Sequence, residues 1–149
     1  MYLVKLVAGS RLYGTHSSDS DYDYRGVMLE PVESISRLAP RFEQHETKKP
    51  DATYFGLQKF MRLALQNNPN ILEILFASPQ TWQLNTDVWR QLHERRHDVL
   101  SEQVRRTYGG YIRSQLRQFE QKKGDAKALA HALRLSYQVW DILIDGDLN

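Results

Sequence analysis

Seven residues near the start of the chain, 2 to 8, are apolar or β-branched apart from Lys5, and Gly9 follows them. That is the pattern of a short buried strand. Residues 10–13 can form one helical turn capped by Ser10. Residues 15–20 contain no apolar side chain and read as a turn. Residues 21–30 alternate well enough for a second strand, with Tyr22, Tyr24 and Val27 available for packing. Pro31 suits the first position of a short helix reaching about residue 38. A polar third strand is predicted over 41–49.

From Asp51 onward the pattern turns helical. Leu57, Phe60, Met61 and Ala64 repeat at i, i+3, i+4 and i+7, and the predicted helix opens at Asp51. Asn67-Asn68-Pro69 stops it. Asn70 is placed to cap the next short helix, with Glu73 at the capping-box position, and Ser78-Pro79 ends that helix. Further helices are predicted over 87–96, 101–122 and 126–144. The second of these turns Val104, Tyr108, Tyr111, Ile112, Gln115 and Phe119 to one side. In the third, Leu129, Leu133, Val139, Trp140 and Leu143 are expected to face inward, and Gly124-Asp125 separates the two. No internal repeat is present. The expected fold is α/β of the α+β kind: a small mixed sheet with flanking helices over residues 1–84, then a helical hairpin over 85–149 packed on it.

Composition narrows this picture only modestly. The 149 residues are 41% hydrophobic and 26% charged with a net charge of +2, ordinary for a globular chain and too mild to imply nucleic acid by itself. There is no cysteine, which excludes disulfides, thiolate zinc sites and a cysteine nucleophile. No run approaches the 18 or so apolar residues of a membrane span, and the N-terminus lacks a signal-peptide core. The expected location is the cytoplasm.

The chemistry concentrates in residues 7–27, VAGSRLYGTHSSDSDYDYRGV. Asp21 and Asp23 are two apart, and a strand puts i and i+2 on one face. Two carboxylates there suit hard divalent cations, which take oxygen ligands. Phosphoryl-transfer sites place such cations about 3.5–4 Å apart. Gly9 lets a phosphate approach the backbone, Ser10 adds a hydroxyl donor, and the amides after them favour an anion. No P-loop and no G-x-G-x-x-G is present. His93 and His97 are four apart but lack the glutamate of a zinc-protease helix. A plain Asp-rich turn is the bland alternative for Asp19, Asp21 and Asp23.

Gly9-Ser10, ten residues, then Asp21-Tyr22-Asp23 resembles the GS…[D/E]-x-[D/E] pattern of the DNA polymerase β superfamily nucleotidyltransferases. GSRLYG, SDSDYDYRGV, DATYFGLQKFMRLALQNNPNILEILFASP and KALAHALRL are similar to the RNA-repair-associated branch found in bacteria and phages, over residues 7 to about 146. Members of that branch are often longer at the C-terminus. The resemblance implies that Asp21 and Asp23 bind Mg²⁺ or Mn²⁺ carrying a nucleoside triphosphate such as ATP. It implies further that Gly9 and Ser10 contact the triphosphate, and that a third carboxylate activates the acceptor hydroxyl. Asp51 matches the family position, with Glu46 and Glu43 as alternatives; an ordinary helix N-cap is the competing reading of Asp51.

Arg25 shares strand parity with Asp23 and can pair with it or bind triphosphate. Lys127, His131 and Arg134 match the family's Lys-x-x-x-His-x-x-Arg helix and with Gln138 form one polar stripe, expected opposite the leucines. They are nucleotide-binding candidates, or else a solvated helix face. Arg11 is a weaker candidate, and Arg105, Arg106, Arg113 and Arg117 read as surface. The expected function is transfer of NMP from an NTP to a hydroxyl on an RNA end, a protein or a small molecule, with release of pyrophosphate. The alternative is a non-catalytic or antitoxin-like nucleotide-binding module acting on a protein partner. Neither the acceptor, the nucleobase nor the oligomeric state follows from the sequence.

Overall fold

The computed structural model describes residues 1–9, 22–36, 42–122 and 124–148. The apolar run at the start forms β1 (Tyr2–Ala8), with Leu3, Val4 and Leu6 essentially inaccessible. β2 (Asp23–Met28) lies antiparallel to it, Ala8 opposite Asp23 and Val4 opposite Val27. α1 (Val32–Ile35) is one short turn after Pro31. β3 (Gln44–Lys48) and β4 (Asp51–Gly56) make an antiparallel hairpin, and β4 runs parallel to β2. β5 (Trp82–Asn85) closes the other edge beside β1, giving the order β3-β4-β2-β1-β5.

Two sequence expectations are corrected here. Residues 51–56 are a strand, and the helix α2 spans only Leu57–Leu65. Thr53, Tyr54 and Phe55 are β-branched or aromatic and favour the pleated surface; burial alternates along the strand, with Ala52 and Tyr54 inside. The helix begins at Leu57 because the buried carboxylate of Glu30 accepts the Gln58 amide at 2.6 Å, supplying the cap from a distant strand end. β5 is the second correction: four residues with one buried neighbour strand carry too little pattern to be read as a strand.

The chain forms two compact units. One comprises residues 1–62 and 77–95, the other 63–76 and 96–149. In the first, the five-stranded sheet buries Leu3, Val4, Leu6 and Val27 with Phe60 and Trp89. Phe60 and Trp89 meet edge to face at 5.7 Å between centroids. Trp89 belongs to α4 (Asp87–Glu94), which Thr86 caps by accepting the Trp89 amide.

The second unit holds α3 (Pro69–Phe76), α5 (Gln103–Gln121) and α6 (Ala126–Asp145), with α5 and α6 packed as a hairpin. Asn67, fully buried at φ +51°, donates to the carbonyls of Ala64 and Val99 and accepts from the amide and hydroxyl of Ser101. The cap of α3 is Asn68, which accepts the Asn70 amide at 3.0 Å, in place of the expected Asn70. Asp125 caps α6, and Gly146 ends it in the left-handed region at φ +70°.

The inward face of α6 is the reverse of the one expected. Ala128, Ala132, Leu135, Gln138 and Ile142 are buried, whereas Leu129, Leu133, Trp140 and Leu143 face outward. The helix is apolar on both faces, so periodicity alone cannot say which one packs. The short alanines face inward, where they let helices approach closely.

Candidate functional site at the strand ends

One end of the sheet gathers the end of β1 and the beginnings of β2 and β4. Gly9 follows β1 at φ +68°, and a Cβ there would stand 2.9 Å from the Asp23 Cγ. Only glycine leaves room for the Asp23 carboxylate to lie over this backbone. Asp23 opens β2 and Asp51 opens β4, directly in register across the parallel pair. Laterally paired residues point to the same sheet face, on strands about 4.8 Å apart. The fold therefore stands two carboxylates side by side beside a glycine-lined backbone.

Arg25 shares that face two residues along β2. Its Nη1 lies 3.7 Å from the Asp51 Oδ1 and donates to the Tyr24 carbonyl at 2.8 Å. The Asp51 side chain is 57% exposed and that of Arg25 31%, and an ion pair so open to solvent contributes about 0–1 kcal/mol. Asp51 is thus available to a ligand at little structural cost. The other two acids considered for the third role are occupied differently. Glu43 is held by Lys59 at 3.2 Å and Arg62 at 3.4 Å, and hydrogen bonds from both lower its pKa. Glu46, opposite Thr53 on β3, accepts from Gln44 and stands one strand further from Asp23. Ser10, Arg11 and Asp21 lie outside the described residues.

Carboxylate oxygens are the donors that Mg²⁺ and Mn²⁺ prefer, and Asp23 and Asp51 fit that chemistry. Among the described residues no cluster of three or more metal-ligating side chains occurs. The histidines serve elsewhere: His93 meets the Trp82 ring edge-on at 4.9 Å, and His97 meets the Phe76 ring and lies 3.5 Å from Asp147.

Lys127, His131 and Arg134 belong to the second unit, on α6. Lys127 is exposed, but the rest of the stripe is not a solvated face. Glu73 of α3, with a side chain only 13% exposed, receives Arg134 Nη2 at 3.4 Å and the Gln138 amide at 3.0 Å on one oxygen. His131 is half-buried, and its Nε2 has no hydrogen-bond partner among the described residues. Burial, then the Arg134 charge, hold its pKa below the ordinary value. Tyr108 of α5 is fully buried, and that burial, with Glu73 adding to it, pushes its phenol upward. Glu73 is the residue that sequence reasoning missed, having been read as a capping-box acid. The signal was present: a lone carboxylate inside Ile71-Leu72-Glu73-Ile74-Leu75-Phe76 needs a partner when the helix is buried.

This end of the sheet thus sets Asp23 and Asp51 in register across the parallel pair, with Asp23 against Gly9. Residues 2–147 match the RNA repair pathway DNA polymerase beta family (RlaP), and the chain belongs to that family. It is also 26% identical over 157 residues to an uncharacterized 38.9 kDa protein in the nrdC-mobD intergenic region of Enterobacteria phage T4. That match covers 96% of this chain and 46% of the phage protein, so the chain spans about half the length of this relative. No solved structure matches. No helix among the described residues is long and apolar enough to cross a membrane.

Proposed function

We propose that this protein transfers a nucleoside monophosphate from an NTP to a hydroxyl at an RNA end, releasing pyrophosphate. The observation that carries the reading is the in-register pair Asp23–Asp51, with Asp23 against Gly9, in a chain of the DNA polymerase beta family. Asp21, Asp23 and Asp51 would hold the divalent ions, which when bound neutralise charge on the triphosphate. Gly9 and Ser10 would offer backbone and hydroxyl donors to the β and γ phosphates. Asp51 would accept the proton of the acceptor hydroxyl as its oxygen attacks the α phosphorus; the bond to the bridging oxygen of pyrophosphate then breaks. Arg25 adds a cation beside the leaving phosphates.

The family resemblance also offers Lys127, His131 and Arg134, on α6 of the second unit, as nucleotide-binding candidates. Lys127 is the freer cation, since Arg134 is engaged by Glu73. RNA is favoured as acceptor by the family's RNA repair context and by the basic surface of α5, where Arg105, Arg106 and Arg113 stand with Glu102. Such a surface suits a phosphodiester backbone. The test is incubation with each α-labelled NTP, Mg²⁺ or Mn²⁺, and either total RNA or RNA-depleted lysate. Label on RNA with stoichiometric pyrophosphate is expected. Label confined to protein or small molecules would overturn the RNA assignment, and binding without pyrophosphate release would overturn the transfer.

A further inference from the structure

The outward face of α6 carries exposed side chains at a regular spacing. Ala126, Ala130, Leu133, Tyr137, Trp140 and Ile144 are all exposed, and they recur at alternating intervals of four and three residues. That is the a/d seam of a coiled coil, sustained over the whole 20-residue helix. The opposite face of the same helix is already buried by Ala128, Ala132, Leu135 and Ile142. The helix therefore carries two apolar faces, of which one is covered within the chain. The exposures are large where the side chains are large: Tyr137 70%, Trp140 65%, Ile144 64% and Leu133 54%.

We infer that this seam is a self-association surface, on which α6 packs antiparallel against α6 of a second copy of this chain. The register is written in side-chain size. Antiparallel pairing about a twofold near residue 135 sets Ala126 against Ile144, Ala130 against Trp140, and Leu133 against Tyr137. Each small residue meets a large one, and each layer is repeated by symmetry, as an isologous interface requires. A parallel pair would instead stack Trp140 on Trp140 and leave Ala130 facing Ala130. Charge gives the same answer. Lys127 lies at one end of the seam and Asp141 and Asp145 toward the other. The antiparallel copy brings Lys127 beside the partner's acidic end, whereas the parallel copy sets like charges together. Arg134 near the twofold is held by Glu73 on the inner side. A standard interface takes about 800 Å² from each partner, and the seam with the flanking Leu129 and Leu143 supplies exposed apolar surface for it.

Sedimentation equilibrium of the intact chain tests this. A dimer at micromolar concentration is expected, with Trp140→Glu weakening it at least about a hundredfold while the helical circular dichroism is unchanged. Because the protein has no cysteine, single substitutions read the register directly. Ser136→Cys, beside the twofold, forms a disulfide-linked dimer on mild oxidation; Ala126→Cys, at the far end, does not. A wild-type monomer overturns the inference, whether the face stays open or is covered by further chain. An Ala126→Cys homodimer overturns the antiparallel register.

Discussion

Two carboxylate centres in this molecule use the same chemistry in opposite ways. At the sheet end, Asp23 and Asp51 stand side by side, and Asp51 is mostly exposed with a single distant arginine beside it. In the helical unit, Glu73 is nearly buried and has one oxygen committed to both Arg134 and Gln138. Asp51 in the first centre gains little stability from its exposed ion pair. The second satisfies a buried charge internally, and removing either partner leaves the other desolvated. The exposed, weakly paired Asp51 marks the candidate site, and the doubly engaged Glu73 marks a structural node.

Four substitutions bear on that contrast, from the largest expected effect to the smallest. Asp23→Asn should lower nucleotidyl transfer by about 10²–10³-fold or more while the urea midpoint barely moves; coupled pyrophosphate assays and urea titrations read the two effects. Gly9→Ala should cost both, because its Cβ meets the Asp23 carboxylate and its φ is positive. Roughly tenfold in rate and about 1–2 kcal/mol in stability are expected. Glu73→Gln should reverse the balance seen for Asp23. Urea unfolding should show a loss of about 1–3 kcal/mol, with a smaller fractional change in transfer than Asp51→Asn, which itself should leave stability within about 0.5 kcal/mol. A Glu73→Gln protein that is fully stable, or an Asp51→Asn protein that unfolds, would erase the distinction.

The smallest effect is in pH. The folded pKa of His131 is held below its ordinary value by burial and by Arg134. Above the unfolded value of about 6.5, the imidazole is neutral in both states and its contribution is fully present. As pH falls toward the lower folded value, the unfolded chain takes the proton first, so stability is lost across that window. Urea midpoints followed downward from neutral pH should fall less steeply for His131→Asn than for the wild type.

Much of this was legible in the sequence, for reasons specific to each segment. β1, β2, α2 from Leu57 and the α5–α6 hairpin carry long runs or clear stops, and they form near the predicted bounds. β4 was concealed because Asp51 after Pro50 imitates a helix cap, while the real cap, Glu30, is 28 residues upstream of Gln58. The same error hid the best geometric support for Asp51, its lateral pairing with Asp23. On α6, two apolar stripes competed and the alanine stripe packed inward, so the stripe read as a nucleotide contact or a solvated face sets Arg134 and Gln138 on Glu73. Ser10 and Asp21, read as site residues from the GS and D-x-D spacing, lie outside the described residues.

The most direct measurement compares label transfer from an α-labelled NTP by the wild type and by Asp23→Asn, under identical Mg²⁺ and RNA. The account predicts transfer by the wild type, and a variant that is folded, equally stable and inactive. Transfer by Asp23→Asn at the wild-type rate would contradict it, because the strand-end carboxylates would then have no part in the chemistry.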